Sequence, residues 1–283
     1  MIKNSLIAIG TAARALVRGW GALLLLLALY AALLASVYLF FAMKEATVWQ
    51  LTLTALLAVL APLLFFILQA ATVNFAQGAT RPLLLVRRAL EDFWKVLLVS
   101  LPLIALAVLL VYLLDKLQAR FPVAALATPR AALPPLAARA APPPMGWQDA
   151  VLPSLRLLLL GVLLPLIAVQ LWLSIAHQGL WATLKRSPRV LARAFAPQAV
   201  LVYAIGLFVF GLMPYFIIFT RTPVKSAWGE LILFGLRLAL AFLFTLLGWA
   251  ITLGALVRVS PGTETTINTD TAVVPTQSGD VPA

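Results

Sequence analysis

The chain has 283 residues, of which 63% are hydrophobic and 11% charged, and its mean hydropathy is +1.04. Soluble domains carry about a quarter charged residues, so this composition excludes a soluble globular protein and defines a polytopic membrane protein. The net charge of +12 is spread over short segments between apolar runs, which argues against nucleic acid and for anionic lipid headgroups as partners. With no cysteine, disulfides, thiolate metal sites and cysteine nucleophiles are excluded.

Taken in order, residues 1–19 carry Lys3, Arg14 and Arg18 and lead into a first apolar run, residues 21–43. That run is long enough to cross a hydrocarbon core of roughly 30 Å. A cleaved signal peptide would have a shorter apolar region, roughly 7 to 15 residues, so the first span is read as retained. Ala28, Ala31, Ala32 and Ala35 give it small-residue faces suited to close helix packing. A turn at Lys44 and Glu45 leads to a second span, residues 48–77, and the two form a tight hairpin with Pro62 kinking the second arm.

The segment 80–95 follows. Leu83, Val86, Leu90, Phe93 and Trp94 fall on one side of a helical wheel, while Arg87, Arg88, Glu91 and Lys95 fall on the other. This pattern predicts an amphipathic helix at the membrane interface, with Pro82 in its first turn. Glu91 and Asp92 are expected to pair in solvent with Arg87 and Arg88. A third span, residues 96–114, contains Pro102 and ends at Asp115 and Lys116. Residues 117–150 are rich in proline and alanine and are expected to form an external solvated loop.

The fourth span, residues 151–179, contains Pro153 and Pro165. A second basic segment then holds Lys185, Arg186, Arg189 and Arg193, with Ser187 and Pro188 marking a helix start. Spans five and six occupy residues 200–220 and 231–257. The tail, 259–283, is threonine-rich, acidic and aperiodic, and is expected to be disordered.

Two internal correspondences organise this order. Gln69, Gln77, Gly78, Arg88 and Leu90 match Gln170, Gln178, Gly179, Arg189 and Leu191 at a constant offset of 101 residues. Of the fifteen arginines, only Arg14, Arg88 and Arg189 are followed by leucine at +2 and an aromatic residue at +6, and each stands just before a long apolar run. The repeat predicts an all-α integral membrane fold: six transmembrane helices as three hairpins, each preceded by a basic amphipathic interfacial helix, within one domain, residues 1–258. Twelve lysines and arginines fall on the side of the N-terminus and seven on the other, four of those seven within the long loop. Both termini are therefore expected in the cytoplasm, across a bacterial inner membrane. Trp20, Trp94 and Trp181 would mark the inner interface, Trp49 and Trp228 the outer.

The repeated unit, Arg-Ala-Leu-x-x-x-Trp feeding a hairpin, resembles the six-span bacterial membrane families that include the membrane domain attached to some glycerophosphodiester phosphodiesterases. The likeness covers residues 10–258. It implies no chemistry of its own, because catalysis in those fused enzymes belongs to a separate soluble barrel domain. A helper or scaffold is what it implies.

Candidate functional residues fall into three groups. Arg14, Arg18, Arg87, Arg88, Lys185, Arg186, Arg189 and Arg193 are candidate lipid-headgroup contacts. Gln69, Asn74, Gln77, Gln170, Ser174, His177 and Gln178 interrupt the inner ends of spans two and four, either as interhelical hydrogen-bonding groups or as an inward-facing polar vestibule. Arg156 and Arg237 are intramembrane charges, close enough to the outer ends to snorkel or to meet a partner.

The acidic residues all lie outside the deep parts of the spans, and HExxH, GxSxG and GxxxxGK[ST] motifs are absent. No catalytic, cofactor or metal site is therefore expected. The leading expectation is a non-catalytic scaffold or accessory subunit that binds anionic headgroups and a protein partner or further copies of itself. The alternative is a small transporter or lipid-handling permease.

Overall fold

The structure is a computed structural model that describes residues 2–43, 47–120, 147–220 and 226–259, with the backbone alone at 147–150. The regular structure is helical throughout: α1 (Ile2–Arg18), α2 (Trp20–Ala42), α3 (Val48–Ala76), α4 (Pro82–Arg120), α5 (Trp147–Arg156), α6 (Leu164–Gln178), α7 (Leu180–Lys185), α8 (Ser187–Ala194), α9 (Pro197–Leu207), α10 (Met213–Phe219) and α11 (Ala227–Val259). Six stretches are long and apolar enough to cross a membrane: Trp20–Ala42, Val48–Ala76, Pro82–Arg120, Val151–Gln178, Pro197–Phe219 and Ala227–Val259. At most 39% of the most apolar window of any of them is buried within the protein. Faces this apolar and this exposed require lipid around them.

Two of the spans contain a widened turn. Leu157–Leu163 and Phe208–Leu212 are π-helical, joining α5 to α6 and α9 to α10. Each ends just before a proline, Pro165 or Pro214. Proline has no N–H to give to the carbonyl four residues back, and its ring collides with that carbonyl. Shifting the bonding to five residues, as in Leu164 N–H to Leu159 O and Met213 N–H to Phe208 O, makes room for the ring.

The helices gather into two compact units. Among the described residues, one comprises 2–24, 75–81, 195–220 and 226–259, and in it α11 packs against α1, α9 and α10. Small residues allow this. A Cβ placed at Gly206 would collide with the Thr252 side chain, one at Gly248 would lie 2.9 Å from Phe210 Cβ, and one at Gly254 would lie 3.1 Å from Ala12 Cβ. The Phe210 ring, carried by the widened turn, sits edge-to-face between Tyr203 and Trp249, at 6.0 and 5.2 Å.

The other unit comprises Leu25–Asn74 and Pro82–Ala194. Here α6 packs against α4 and α8. Trp172 Nε1 donates to Ser100 Oγ at 2.9 Å, and that hydroxyl donates in turn to Val96 O at 2.7 Å. Both side chains are buried, so the donors are satisfied where lipid offers no substitute.

Several expectations are corrected. The interfacial segment 80–95 and span three are one uninterrupted 39-residue helix, α4. At 1.5 Å per residue α4 is about 58 Å long, so much of it lies beyond a hydrocarbon core of roughly 30 Å. Asp115 and Lys116 do not end α4. The Lys116 ammonium sits 5.1 Å from the Tyr112 ring centroid, one turn back, and the helix continues to Arg120. The loop expected at 117–150 therefore loses residues to α4 and α5, and its centre, 121–146, lies outside the described residues, as do Lys44, Glu45 and all of the tail but Val259.

The first span packs differently too. Ala28, Ala31, Ala32 and Ala35 are exposed, whereas Ala22, Leu26 and Ser36 are buried. With its alanine face turned outward, α2 does not approach α3 as closely as α10 approaches α11, since the closest helix contacts need small residues between them.

Candidate functional site

The basic segments are built on a common plan that the sequence shows only in part. In α1, Ser5, Ala8, Ala12 and Leu16 form the buried stripe, while Ile2, Leu6 and Val17 are exposed on a second face and Lys3, Arg14 and Arg18 on a third. In α4 the buried stripe is Leu85, Ala89 and Val96, the exposed apolar stripe is Leu83, Leu90 and Trp94, and the charged stripe carries Arg87, Arg88 and Glu91. Residues 186–195, on and flanking α8, repeat the order with Val190 and Ala194 buried, Leu191 and Phe195 exposed, and Arg186, Arg189 and Arg193 exposed beyond them. A two-sided wheel had placed all the apolar residues on one face. Three faces are present because a helix that docks on protein while resting on lipid needs separate apolar surfaces for each.

The aromatic residues six positions after Arg14, Arg88 and Arg189 share one environment. Trp20, Trp94 and Phe195 are 63, 48 and 49% exposed, as suits amphipathic rings at an interface. Trp181, Trp49 and Trp228 are also exposed.

Charge pairing divides the cations. Arg87 Nε meets Glu91 Oε1 at 3.0 Å, with both side chains largely exposed, an i, i+4 pair contributing at most about 0.5 kcal/mol. Asp92 does not join that surface pair. Its carboxylate turns inward, accepting from Lys95 Nζ at 2.6 Å and from Asn74 Nδ2 at 3.2 Å. Arg156 Nη1 lies 3.5 Å from Asp115 Oδ1, so a partner on α4 meets it. Arg237 is half-buried. By contrast Arg14, Arg18, Arg88, Lys185, Arg186, Arg189 and Arg193 are exposed and make no ion pair among the described residues.

The polar groups of spans two and four separate by depth. Gln69, Asn74 and Gln170 are buried, at 6, 4 and 3% exposure. Gln77 and Ser174 are half-buried, and His177 and Gln178 exposed. Asn74 is a bonded core residue, its Nδ2 reaching Ala70 O at 3.0 Å as well as Asp92. The described residues hold no group of three or more histidine or acidic side chains able to bind a metal.

The matched glycines are the only residues with positive φ among those described: Gly78 at 103° and Gly179 at 78°. Each follows the C-terminus of a spanning helix, where this backbone turns the chain toward the basic segment.

One grouping was not legible in sequence. Arg14 and Arg18 on α1, Thr80 before α4, and Arg258 in the last turn of α11 line a single cavity of about 410 Å³, with Thr11 and Ala15 at its wall. Arg258 is separated from Arg14 by almost the whole chain. The only available signal was that both fall on the side of the N-terminus in the count of basic residues.

Fold and site together define an α-helical, multi-pass membrane protein with exposed, unpaired cations on its basic segments. Comparison with protein-family models, curated proteins and solved structures gave no match.

Proposed function

We propose that this protein is a non-catalytic scaffold or accessory subunit of a bacterial inner membrane, with both termini cytoplasmic, whose three basic segments grip anionic lipid headgroups and whose spans offer surfaces to a protein partner or to like subunits. The observation that carries this reading is the imbalance of pairing on those segments. Glu91, Asp92 and Asp115 each meet a cation, while Arg14, Arg18, Arg88, Lys185, Arg186, Arg189 and Arg193 meet no described acid. Each such cation near an anionic leaflet adds about 1 kcal/mol to association. The exposed apolar stripe beside each charged stripe supplies the acyl contact that an interfacial helix needs.

The likeness of the repeated unit to the helper domains fused to phosphodiesterases agrees with this reading. For the transporter alternative the polar ends are divided, with Gln69, Asn74 and Gln170 buried and Gln77, Ser174, His177 and Gln178 half-buried or exposed.

The test is lipid preference. Arg14, Arg88 and Arg189 are replaced together by glutamine, and the ratio of retained phosphatidylglycerol to phosphatidylcholine is measured by native mass spectrometry of the purified protein. The ratio is expected to fall. An unchanged ratio overturns the reading.

A further inference from the structure

The three arginines around the cavity differ from the other exposed cations in being brought together by tertiary packing. Helix α1 lies against α11, and the approach of Gly254 to Ala12 sets their register. Arg258 follows Gly254 by one turn, and Arg14 and Arg18 are themselves one turn apart. None of the three makes an ion pair among the described residues. The one described acid of this unit is Glu230, in the first turn of α11. It lies about 42 Å from Arg258 by helix rise. The C-terminal dipoles of α1 and α11 offset about half a charge each, which leaves the cavity net positive among the described residues.

Guanidinium groups present planar forks matched to phosphate oxygens. The Thr11 hydroxyl already donates to Ala8 O at 2.9 Å. Thr80 has no hydrogen bond among the described residues, so its hydroxyl is available to donate.

An open patch on the same helix, which also holds Lys3, adjoins the first and shares Thr11 and Arg14 with it. Ile2, Leu6 and Ile7 line it and are 65, 55 and 54% exposed. Gly10 lies within this patch, with open space where a side chain would stand. A charged cavity beside an exposed apolar patch matches one molecule bearing both characters. Free phosphate would use only the first.

We infer that this unit carries a discrete site for one anionic glycerophospholipid, with its phosphate between Arg14, Arg18 and Arg258 and an acyl chain along Ile2, Leu6 and Gly10. The inference rests on the lipid-binding reading above and narrows it from three diffuse surfaces to one stoichiometric site.

The test uses the full chain in detergent, titrated with phosphatidylglycerol, with phosphatidylcholine of the same acyl chains, and with inorganic phosphate. Native mass spectrometry counts the lipids retained, and the unfolding temperature without lipid confirms that each variant is folded. One phosphatidylglycerol is expected to be retained by the unaltered chain. The variant R14Q/R18Q/R258Q should lose it by about tenfold or more in affinity, whereas K116Q, at an exposed cation on the far end of α4, should retain it. Gly10→Trp, which covers the patch, should weaken phosphatidylglycerol, and millimolar inorganic phosphate should not displace it.

A triple variant that keeps its single phosphatidylglycerol overturns the site, and so does a free-phosphate site, shown by displacement with inorganic phosphate and indifference to Gly10→Trp. If anionic preference survives in the triple variant but falls in R14Q/R88Q/R189Q, the general reading stands and this site alone fails. If the unaltered chain shows no anionic preference, both fail.

Discussion

Asn74, on α3 and 4% exposed, donates its amide hydrogen to Asp92 Oδ2 on α4 at 3.2 Å. A residue assigned to a polar inner end and a residue assigned to a solvated surface thus hold each other. Replacing Asn74 by Ala removes the amide from Asp92 Oδ2, with Lys95 still on Oδ1, and so loses a hydrogen bond to a charged group, about 1.5 to 3 kcal/mol. The unfolding midpoint in detergent should fall accordingly. Glu91→Gln, which breaks only the exposed pair with Arg87, should shift it by at most about 0.5 kcal/mol. Equal effects for the two variants would show that Asp92 is not held from within.

Gly206 faces Thr252 where α9 crosses α11, and an added Cβ would come 2.6 Å from Thr252 Cγ2 and 2.9 Å from Thr252 Cβ. Neither helix backbone can yield without moving the crossing. Gly206→Ala should therefore destabilise by about 1 to 3 kcal/mol. Thr252→Gly added to it should recover part of that loss, read as an interaction energy in a double-mutant cycle. Additive losses would place the strain elsewhere.

At Gly78 and Gly179 the constraint is backbone alone, since nothing lies within 4 Å of an added Cβ at either position. Alanine at either one should cost about 1 to 3 kcal/mol, because φ is positive at both. At Gly179, whose ψ is 168°, asparagine should cost about as much as alanine, since that region is open to glycine alone. If alanine proves harmless at both glycines, the turns are not held by the surrounding helices.

The Trp172 to Ser100 bond ties α6 to α4. Trp172→Phe keeps most of the apolar volume and removes the donor, so stability should drop by about 0.6 to 1.5 kcal/mol. Ser100→Ala should show a similar loss, and the double variant less than the sum of the two. Full additivity would mean that the bond contributes nothing.

Because the chain has no cysteine, introduced thiols report topology without background. Arg186→Cys should react with a membrane-impermeant maleimide only in inverted vesicles, and Gln118→Cys only in intact cells. The reverse pattern would invert the orientation inferred from the basic residues.

How much of this was legible in sequence depends on what each feature requires. The six apolar stretches and their helical form were, because transfer into lipid is a sum over a contiguous segment and an unpaired backbone there leaves little but helix. Gly78 and Gly179 were legible as a matched pair, and a turn is a local property. The exposed tryptophans followed from chemistry that acts residue by residue.

Tertiary structure alone decided which apolar residues meet protein and which meet lipid. Composition cannot separate them, since lipid is as apolar as a helix face, and what distinguishes a protein contact is small size and fit. So Ala12 packs near Gly254 while the alanines of α2 face outward. Asp92 turned inward because Asn74, eighteen residues earlier, waited across the helix contact. Arg258 joined Arg14 and Arg18 only because the last helix packs on the first. No local pattern encodes a contact across that separation, and the charge concentrated there is a property of the fold.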